Sequence, residues 1–167
     1  MKVPDSMRIG IGMDVHQLKK DIPLIIGGIV IPSPLGSQGH SDGDALIHAI
    51  VDALLGAAGL GDIGRYFPST DDKWENVSST HFLKDCVKKI MHSGWNIENI
   101  DTIVILQNPK IFEFIPQIKT KLSQALQVSE SQTSVKPTTT DHLGFIGKER
   151  GWASQATSLL KKTSTRT

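Results

Sequence analysis

A single cysteine, Cys86, leaves this 167-residue chain without an intrachain disulfide and suits a reducing, cytoplasmic setting. Charge bias is lacking too. With 18 Lys and Arg against 17 Asp and Glu, no net field draws nucleic acid or an anionic membrane, so any anionic ligand must be gripped locally. No segment approaches the roughly 18 uninterrupted apolar residues of a membrane span. Met1 to Ile9, with Lys2, Pro4, Asp5 and Arg8, has no apolar signal region. Neither a repeat nor a long linker divides the chain. What remains is one domain, with 38% hydrophobic and 21% charged residues. Residues 1–7 read as a flexible leader, 8–161 as the folded domain and 162–167 as a polar tail.

The pattern is organised around Gly39-His40-Ser41-Asp42-Gly43-Asp44 and the apolar run that follows it to Leu55. Ser41 as N-cap with Asp44 three residues later predicts a helix entered near Asp42 and stopped at Gly56 to Gly59, with Asp44 and His48 on one face. Before it, Ile9, Ile11, Met13 and Val15 alternate with Gly10, Gly12, Asp14 and His16, a half-buried strand. Ile22 to Ile31 forms a hairpin about Gly27-Gly28, and Ser33 to Gly39 is a loop. After it, Gly61 to Gly64 and Phe67 to Asp72 read as loop. Ser78 to Ser93 is an amphipathic helix whose Phe82, Val87 and Ile90 face the core. Ile97 to Leu106 is a strand, Ile115 to Leu126 a helix with Pro116 in its first turn, and Ser134 to Thr140 an edge strand because of Pro137. Leu143 to Gly147 is a glycine-punctuated loop. Trp152 to Leu160 reads as strand, although its periodicity does not separate strand from helix.

Two positions apart on a strand, Asp14 and His16 set a carboxylate and an imidazole side by side. With His48 they make an Asp/His/His set of the kind zinc accepts while keeping a fourth position open. The plainer alternative is a polar strand surface and a helix histidine held against Asp44 or Asp52. His40 suits a phosphate or the outer shell of a metal, or else is a solvated loop histidine. Ser41 caps the helix and can neighbour a phosphate as well; Asp44 either orients a metal-bound histidine or completes the cap. Thr138-Thr139-Thr140-Asp141 offers hydroxyls for a diphosphate and a carboxylate for Mg²⁺ or Mn²⁺, or is simply strand. Lys148 and Arg150 are phosphate contacts or solvated cations.

The motifs Arg8-Ile9-Gly10 through Asp14-Val15-His16, Gly39 to Asp44, Asp52 to Ala58, Gly61-Asp62-Ile63-Gly64, Phe67 to Asp71 and Thr138-Thr139-Thr140, in order from about Arg8 to Lys161, resemble the 2-C-methyl-D-erythritol 2,4-cyclodiphosphate synthase family of the non-mevalonate isoprenoid pathway. The resemblance implies an α+β subunit, a four-stranded mixed sheet with helices on one face, assembled as a homotrimer with active sites between neighbours. It makes Asp14, His16 and His48 the zinc ligands, and has His40 and Thr139 position the phosphates. Asp62 and Gly64 would hold the methylerythritol portion, with Phe67 to Asp71 nearby. Leu106, Pro109, Lys110 and Phe112 of a neighbour would enclose the cytidine, with Ser41, Thr138, Phe145 and Lys148 as further substrate contacts. Asp141 stands where the family has a glutamate that helps hold Mg²⁺. Ile11 and Met13 replace a histidine and an aromatic, and Pro137 a small residue. The family's isoprenoid diphosphate site near the three-fold axis aligns with Phe145, Lys148, Arg150 and Gln155.

The implied activity is that of a phosphorus-oxygen lyase. The 2-phosphate of 4-diphosphocytidyl-2-C-methyl-D-erythritol 2-phosphate attacks the β-phosphorus, a cyclic diphosphate forms and CMP leaves. Two other readings fit the same residues: a zinc-dependent phosphoester hydrolase using an activated water, and a trimeric nucleotide-binding protein without catalysis.

Overall fold

A computed structural model describes residues 6–163. Its organising element is β1 (Met7–Lys20), much longer than the Ile9 to Val15 segment that alternation marks out. The hairpin β2 (Leu24–Ile26) and β3 (Ile29–Ile31) forms a separate two-stranded ribbon, as expected about Gly27-Gly28. Then β4 (Leu35–Gln38) pairs antiparallel with Gln17 to Lys20. This corrects two expectations: the segment is strand rather than loop, and the sheet has five strands rather than four. Its Leu-Gly-Ser-Gln sequence carries no strand pattern because partner and register come from outside it, from the overhanging end of β1. A Cβ on Gly36 would sit 1.9 Å from the Ile22 carbonyl oxygen, so only glycine fits there.

The remaining elements are α1 (Ala45–Ala58), α2 (Ile63–Tyr66), α3 (Ser79–His92), β5 (Trp95–Ile105), α4 (Ile115–Leu126), β6 (Thr133–Thr138), α5 (Gly144–Gly147) and β7 (Gly151–Lys162). The sheet order is β4-β1-β7-β5-β6, with β5 and β6 parallel and the other neighbours antiparallel. The fold is thus a single α+β domain on a mixed sheet. Pro137 lies on the edge strand β6, where its missing donor costs least. The segment from Trp152 is strand, as read. Short helices α2 and α5 replace the loops expected at Gly61 to Gly64 and Leu143 to Gly147, because each closes one turn of local backbone hydrogen bonds. Residues 1–5 and 164–167 of the expected leader and tail lie outside the described residues, while Met7 and Lys162 are paired in strands.

Helices cover one face of the sheet: α1 lies on β1 and β7, α3 packs on α1, and α4 on β6. The way α1 sits reverses the polarity expected for β1. Gly10 and Gly12 face the helix, and Cβ atoms there would stand 1.9 Å from the Ala53 oxygen and 2.1 Å from the Ala49 oxygen. Ala49, Ala53 and Ala57, four apart on α1, meet these glycines, so backbone lies almost on backbone. The apolar residues point the other way: Ile9, Ile11 and Met13 are 75%, 66% and 61% exposed. Alternation was legible, but which set faces inward depends on how close the helix comes.

Gly12→Ala should therefore lift α1 from β1. In urea unfolding the variant is expected to lose about 1–3 kcal/mol, the usual cost of overpacking; unchanged stability would show that the close approach is not required.

Candidate functional site

Past Gly12, the same face of β1 presents Asp14 and then His16, and the N-terminal turn of α1 brings His48 over them. His48 Nδ1 lies 2.9 Å and His16 Nε2 2.8 Å from Asp14 Oδ2, and the two ring nitrogens are 3.3 Å apart. The three ligand atoms lie within 4.8 Å of one another, and all three residues are half-buried. The set can hold a divalent metal. His16 Nδ1 is 2.8 Å from the Gln38 carbonyl. A carbonyl only accepts, so Nδ1 carries a proton and Nε2 is the nitrogen turned to the cluster.

Burial disfavours the charged form of Asp14, but hydrogen bonds from His16 and His48 outweigh it and hold the carboxyl well below the usual carboxylate range. Burial likewise works against the proton on His16, yet the bond to Asp14 and its charge raise His16 above the ordinary 6.5. Asp14 is therefore an anion at any working pH, and at His16 a metal competes with a proton that Asp14 helps to hold.

The loop from Gly39 to Asp44 is held from both sides. Ser37 accepts from the indole N–H of buried Trp152 at 2.8 Å and donates to the Gly43 carbonyl. Gly43 has φ +72°, and a side chain there would collide with Ser37. This turn delays the helix start, so the N-cap is Asp44 rather than Ser41: its carboxylate accepts from Ile47 N at 3.1 Å and Gly28 N at 2.7 Å. Asp44 is thereby spent on capping and on tying down the β2–β3 hairpin, and does not orient His48. Complete burial, aided by the charge of Asp42, pushes it up to about 6 against the hydrogen bonds from Gly28 and Ile47. Ser41, released from capping, places its hydroxyl 3.1 Å from His48 Nε2.

His16, His40, Ser41 and His48 form the polar end of a cavity of about 240 Å³ whose other walls are Ile63, Gly64, Phe67, Ser69, Trp74 and Phe82. Phe67 and Phe82 stack at 4.4 Å, with Trp74 edge-on to both. Phe82 is thus core, as expected, and also wall. Asp52 on α1 accepts from Ile63 N at 2.7 Å and so fixes α2 beside the cavity. His40 Nε2 lies 3.2 Å from the Asp71 carbonyl, which anchors the loop after Phe67. The side chains of Asp62 and Asp71 cap short helical turns and lie outside the cavity lining.

A second group of expected residues gathers elsewhere. Thr139 Oγ1 and Asp141 Oδ1 are 3.3 Å apart beyond β6, in a turn where Asp141 and His142 both have positive φ. Gln107 accepts from His142 N, joining this turn to the segment from Leu106 through Pro109 and Lys110 to Phe112. Asn108 donates to Glu149 at 2.7 Å, bringing in the stretch after Phe145 and Lys148. Strands β7 and β5 intervene between β1 and β6, three inter-strand steps that amount to about 14 Å. One chain therefore carries two separate clusters at the same edge of the sheet, where β1, β5 and β6 all end. Sequence reasoning had placed Ile63 and Ser69 only inside motif segments, without a role of their own, and had not singled out Gln38, Trp74 or Ser79. The hydroxyl cluster Ser78-Ser79-Thr80 was a signal for the last; for the Gln38 carbonyl there was none.

These features define a class: a small α+β subunit with a candidate metal centre where a helix end crosses a strand, beside an aromatic-walled cavity. Residues 7–161 match the YgbB family model. The chain is 46% identical over 150 residues to 2-C-methyl-D-erythritol 2,4-cyclodiphosphate synthase of Salinibacter ruber, covering 90% of this chain and 96% of that one. To the enzyme of the same name from Agathobacter rectalis it is 49% identical, covering 90% and 85%. Among solved structures, IspF of Plasmodium falciparum in complex with CDP superposes with a TM-score of 0.84 at 36% identity, over 97% of this chain and all of that one. The bifunctional IspDF of Campylobacter jejuni gives 0.92 at 39% identity over 96% of this chain, which spans 43% of that longer protein. The chain belongs to the YgbB family, the 2-C-methyl-D-erythritol 2,4-cyclodiphosphate synthases of isoprenoid precursor biosynthesis.

Because metal and proton compete for His16, zinc affinity should be level at high pH and fall as pH drops through the range just above 6.5 and below. Asp14→Asn should bind zinc more weakly and shift the onset of that fall to lower pH, since the anion that raises His16 is gone. Zinc titrations against a competing chelator between about pH 5.5 and 8.5 check this; an affinity independent of pH would rule it out.

Proposed function

We propose that this chain converts 4-diphosphocytidyl-2-C-methyl-D-erythritol 2-phosphate to 2-C-methyl-D-erythritol 2,4-cyclodiphosphate and CMP, as a metal-dependent lyase working in the cytoplasm. The observation that carries the reading is the meeting of Asp14, His16 and His48 at the mouth of an aromatic-walled cavity, in a chain whose relatives bear that enzyme's name. A carboxylate with two imidazoles suits zinc, and Asp141 beside the Thr139 hydroxyl suits Mg²⁺ or Mn²⁺ at a diphosphate. Such cations, when bound, neutralise phosphate charge and align the attacking and leaving groups.

The chain's own contribution is positioning. His40, anchored through Asp71, and Ser41 present polar groups to phosphate oxygens, and Thr139 does the same from the second cluster. Phe67, Trp74 and Phe82 keep water from the diphosphate, which favours the internal phosphate over water as nucleophile. A phosphate that is already ionised needs no general base, so nothing in the reaction calls on Ser41 as a nucleophile through His48 and Asp14. Gly64, with Asp62 nearby, suits the methylerythritol portion. The segment Leu106 to Phe112 suits the cytidine, in keeping with CDP in the solved P. falciparum relative.

One subunit separates the two clusters, so the complete site requires a neighbour. We assign it to a homotrimer, supported by the exposed stripe of Ile9, Ile11, Met13 and Val15 on the uncovered face of β1. Lys148, near the second cluster, falls within reach of the same junction.

With substrate, zinc and Mg²⁺, ³¹P NMR should show coupled cyclic-diphosphate resonances and equimolar CMP, both absent for His48→Ala. CMP with an acyclic product would mark a hydrolase instead. Mixing inactive His48→Ala and Thr139→Ala chains through unfolding and refolding should restore activity, since roughly a quarter of the interfaces in random trimers join two intact clusters. If mixing restores nothing while the separate variants remain folded, the shared-site assembly is wrong.

A further inference from the structure

Asp42 stands in the loop that carries His40 and Ser41, yet it neither lines the cavity nor belongs to the ligand set. Its carboxylate is aimed at α3. Oδ2 accepts the backbone N–H of Ser79 at 2.9 Å, and Oδ1 accepts the Ser79 hydroxyl in a short contact. Ser79 is fully buried at the first turn of α3. Its Oγ lies 2.9 Å from His48 Nε2, the ring nitrogen on the far side from Asp14.

These contacts give the chain of bonds a direction, and Ser41 Oγ, 3.1 Å from the same His48 nitrogen and 3.3 Å from Ser79 Oγ, fits it by accepting from the first and donating to the second. A hydroxyl has one proton, and that of Ser79 is committed to Asp42. Toward His48 it can only accept, so Nε2 carries the proton and donates. Nδ1 is then the nitrogen that a metal held with Asp14 and His16 would take. On the other histidine the Gln38 carbonyl does the equivalent work from β4. Each imidazole thus keeps one nitrogen, Nε2 of His16 and Nδ1 of His48, turned to the ligand cluster, with the other fixed from behind by an acceptor.

We infer that Asp42 and Ser79 form a relay that positions His48 as a metal ligand, with Asp42 holding the Ser79 hydroxyl so that it accepts from Nε2 and leaves Nδ1 for the cluster. The relay rests on the metal reading proposed above for Asp14, His16 and His48. Asp42 and Ser79 are positioning residues that touch neither metal nor substrate. The relay also joins the start of α3 to the start of α1, so the helix that supplies Phe82 to the cavity wall is indexed to the ligand it stands beside.

The test uses Asp42→Asn in the full chain. Asparagine keeps an oxygen for the Ser79 N–H, so α3 remains anchored. Its NH₂ group now donates to the Ser79 oxygen, which removes the anion and frees the serine proton to turn toward His48. Zinc affinity, measured against a chelator, is expected to fall about 10–100-fold while the melting temperature of the metal-free protein stays the same. In the zinc-loaded protein, the His48 Nε2–H resonance in ¹H–¹⁵N spectra should exchange with solvent faster in Asp42→Asn than in the unaltered chain, and Ser79→Ala should act in the same direction. Unchanged zinc affinity or unchanged exchange in Asp42→Asn overturns the relay alone. If the unaltered protein binds no zinc through these residues, the metal reading falls and takes the relay with it.

Discussion

Everything at the candidate site hangs on the contact between α1 and the glycine face of β1. Two glycines on the strand and three alanines on the helix let the backbones approach until a single added carbon would collide with a carbonyl. That closeness turns a strand position and a helix position into one cluster: a residue two further along β1 and a residue one turn back on α1 have no choice but to meet. A larger residue at Gly12 would leave Asp14, His16 and His48 with the right chemistry and the wrong spacing. The packing tolerance of the core and the geometric tolerance of the candidate metal site are therefore the same tolerance.

The same contact explains the uneven faces of the sheet. Covering β1 on its glycine side leaves its apolar side chains outward, a surface that a lone domain would not ordinarily keep. The edge of the sheet where β1, β5 and β6 end then carries two incomplete groups of polar residues, one with metal-ligating side chains and the other with hydroxyls and a carboxylate. The proposed assembly would answer both features at once, burying the uncovered apolar face and bringing the two clusters of neighbouring chains together.

Around the cluster the protein spends buried polar groups on holding loops still. Asp44 ties the helix start to the hairpin, Ser37 and Trp152 hold Gly43, and Asp52 seats α2. None of these touches the cavity, yet each fixes an element that does. The carboxylates divide by environment: Asp14 is kept ionised by its histidines, whereas Asp44, sealed from water, has its carboxyl raised to about 6.

Much of this was legible in the residues. The spacing of Asp14 and His16, the helix after Gly39 to Asp44, the helices to His92 and Leu126 and the edge character of β6 all follow from local rules of period, capping and proline placement, because those rules act within a few residues. The chemistry of an Asp/His/His set was likewise readable from residue types. Other features depended on partners distant in the chain. Leu35 to Gln38 became a strand only because β1 overhangs the sheet. Ser41 lost the cap to Asp44 because Gly43 turns against Ser37. The apolar set on β1 faced outward because α1 claimed the glycines. Short-range preference thus decided where the helices and most strands lie and which side chains can bind a metal. Only the tertiary structure decided which face is buried, which hydroxyls stand behind His48 and which of the expected site residues gather in separate clusters, since each depends on distances between segments that local sequence does not encode.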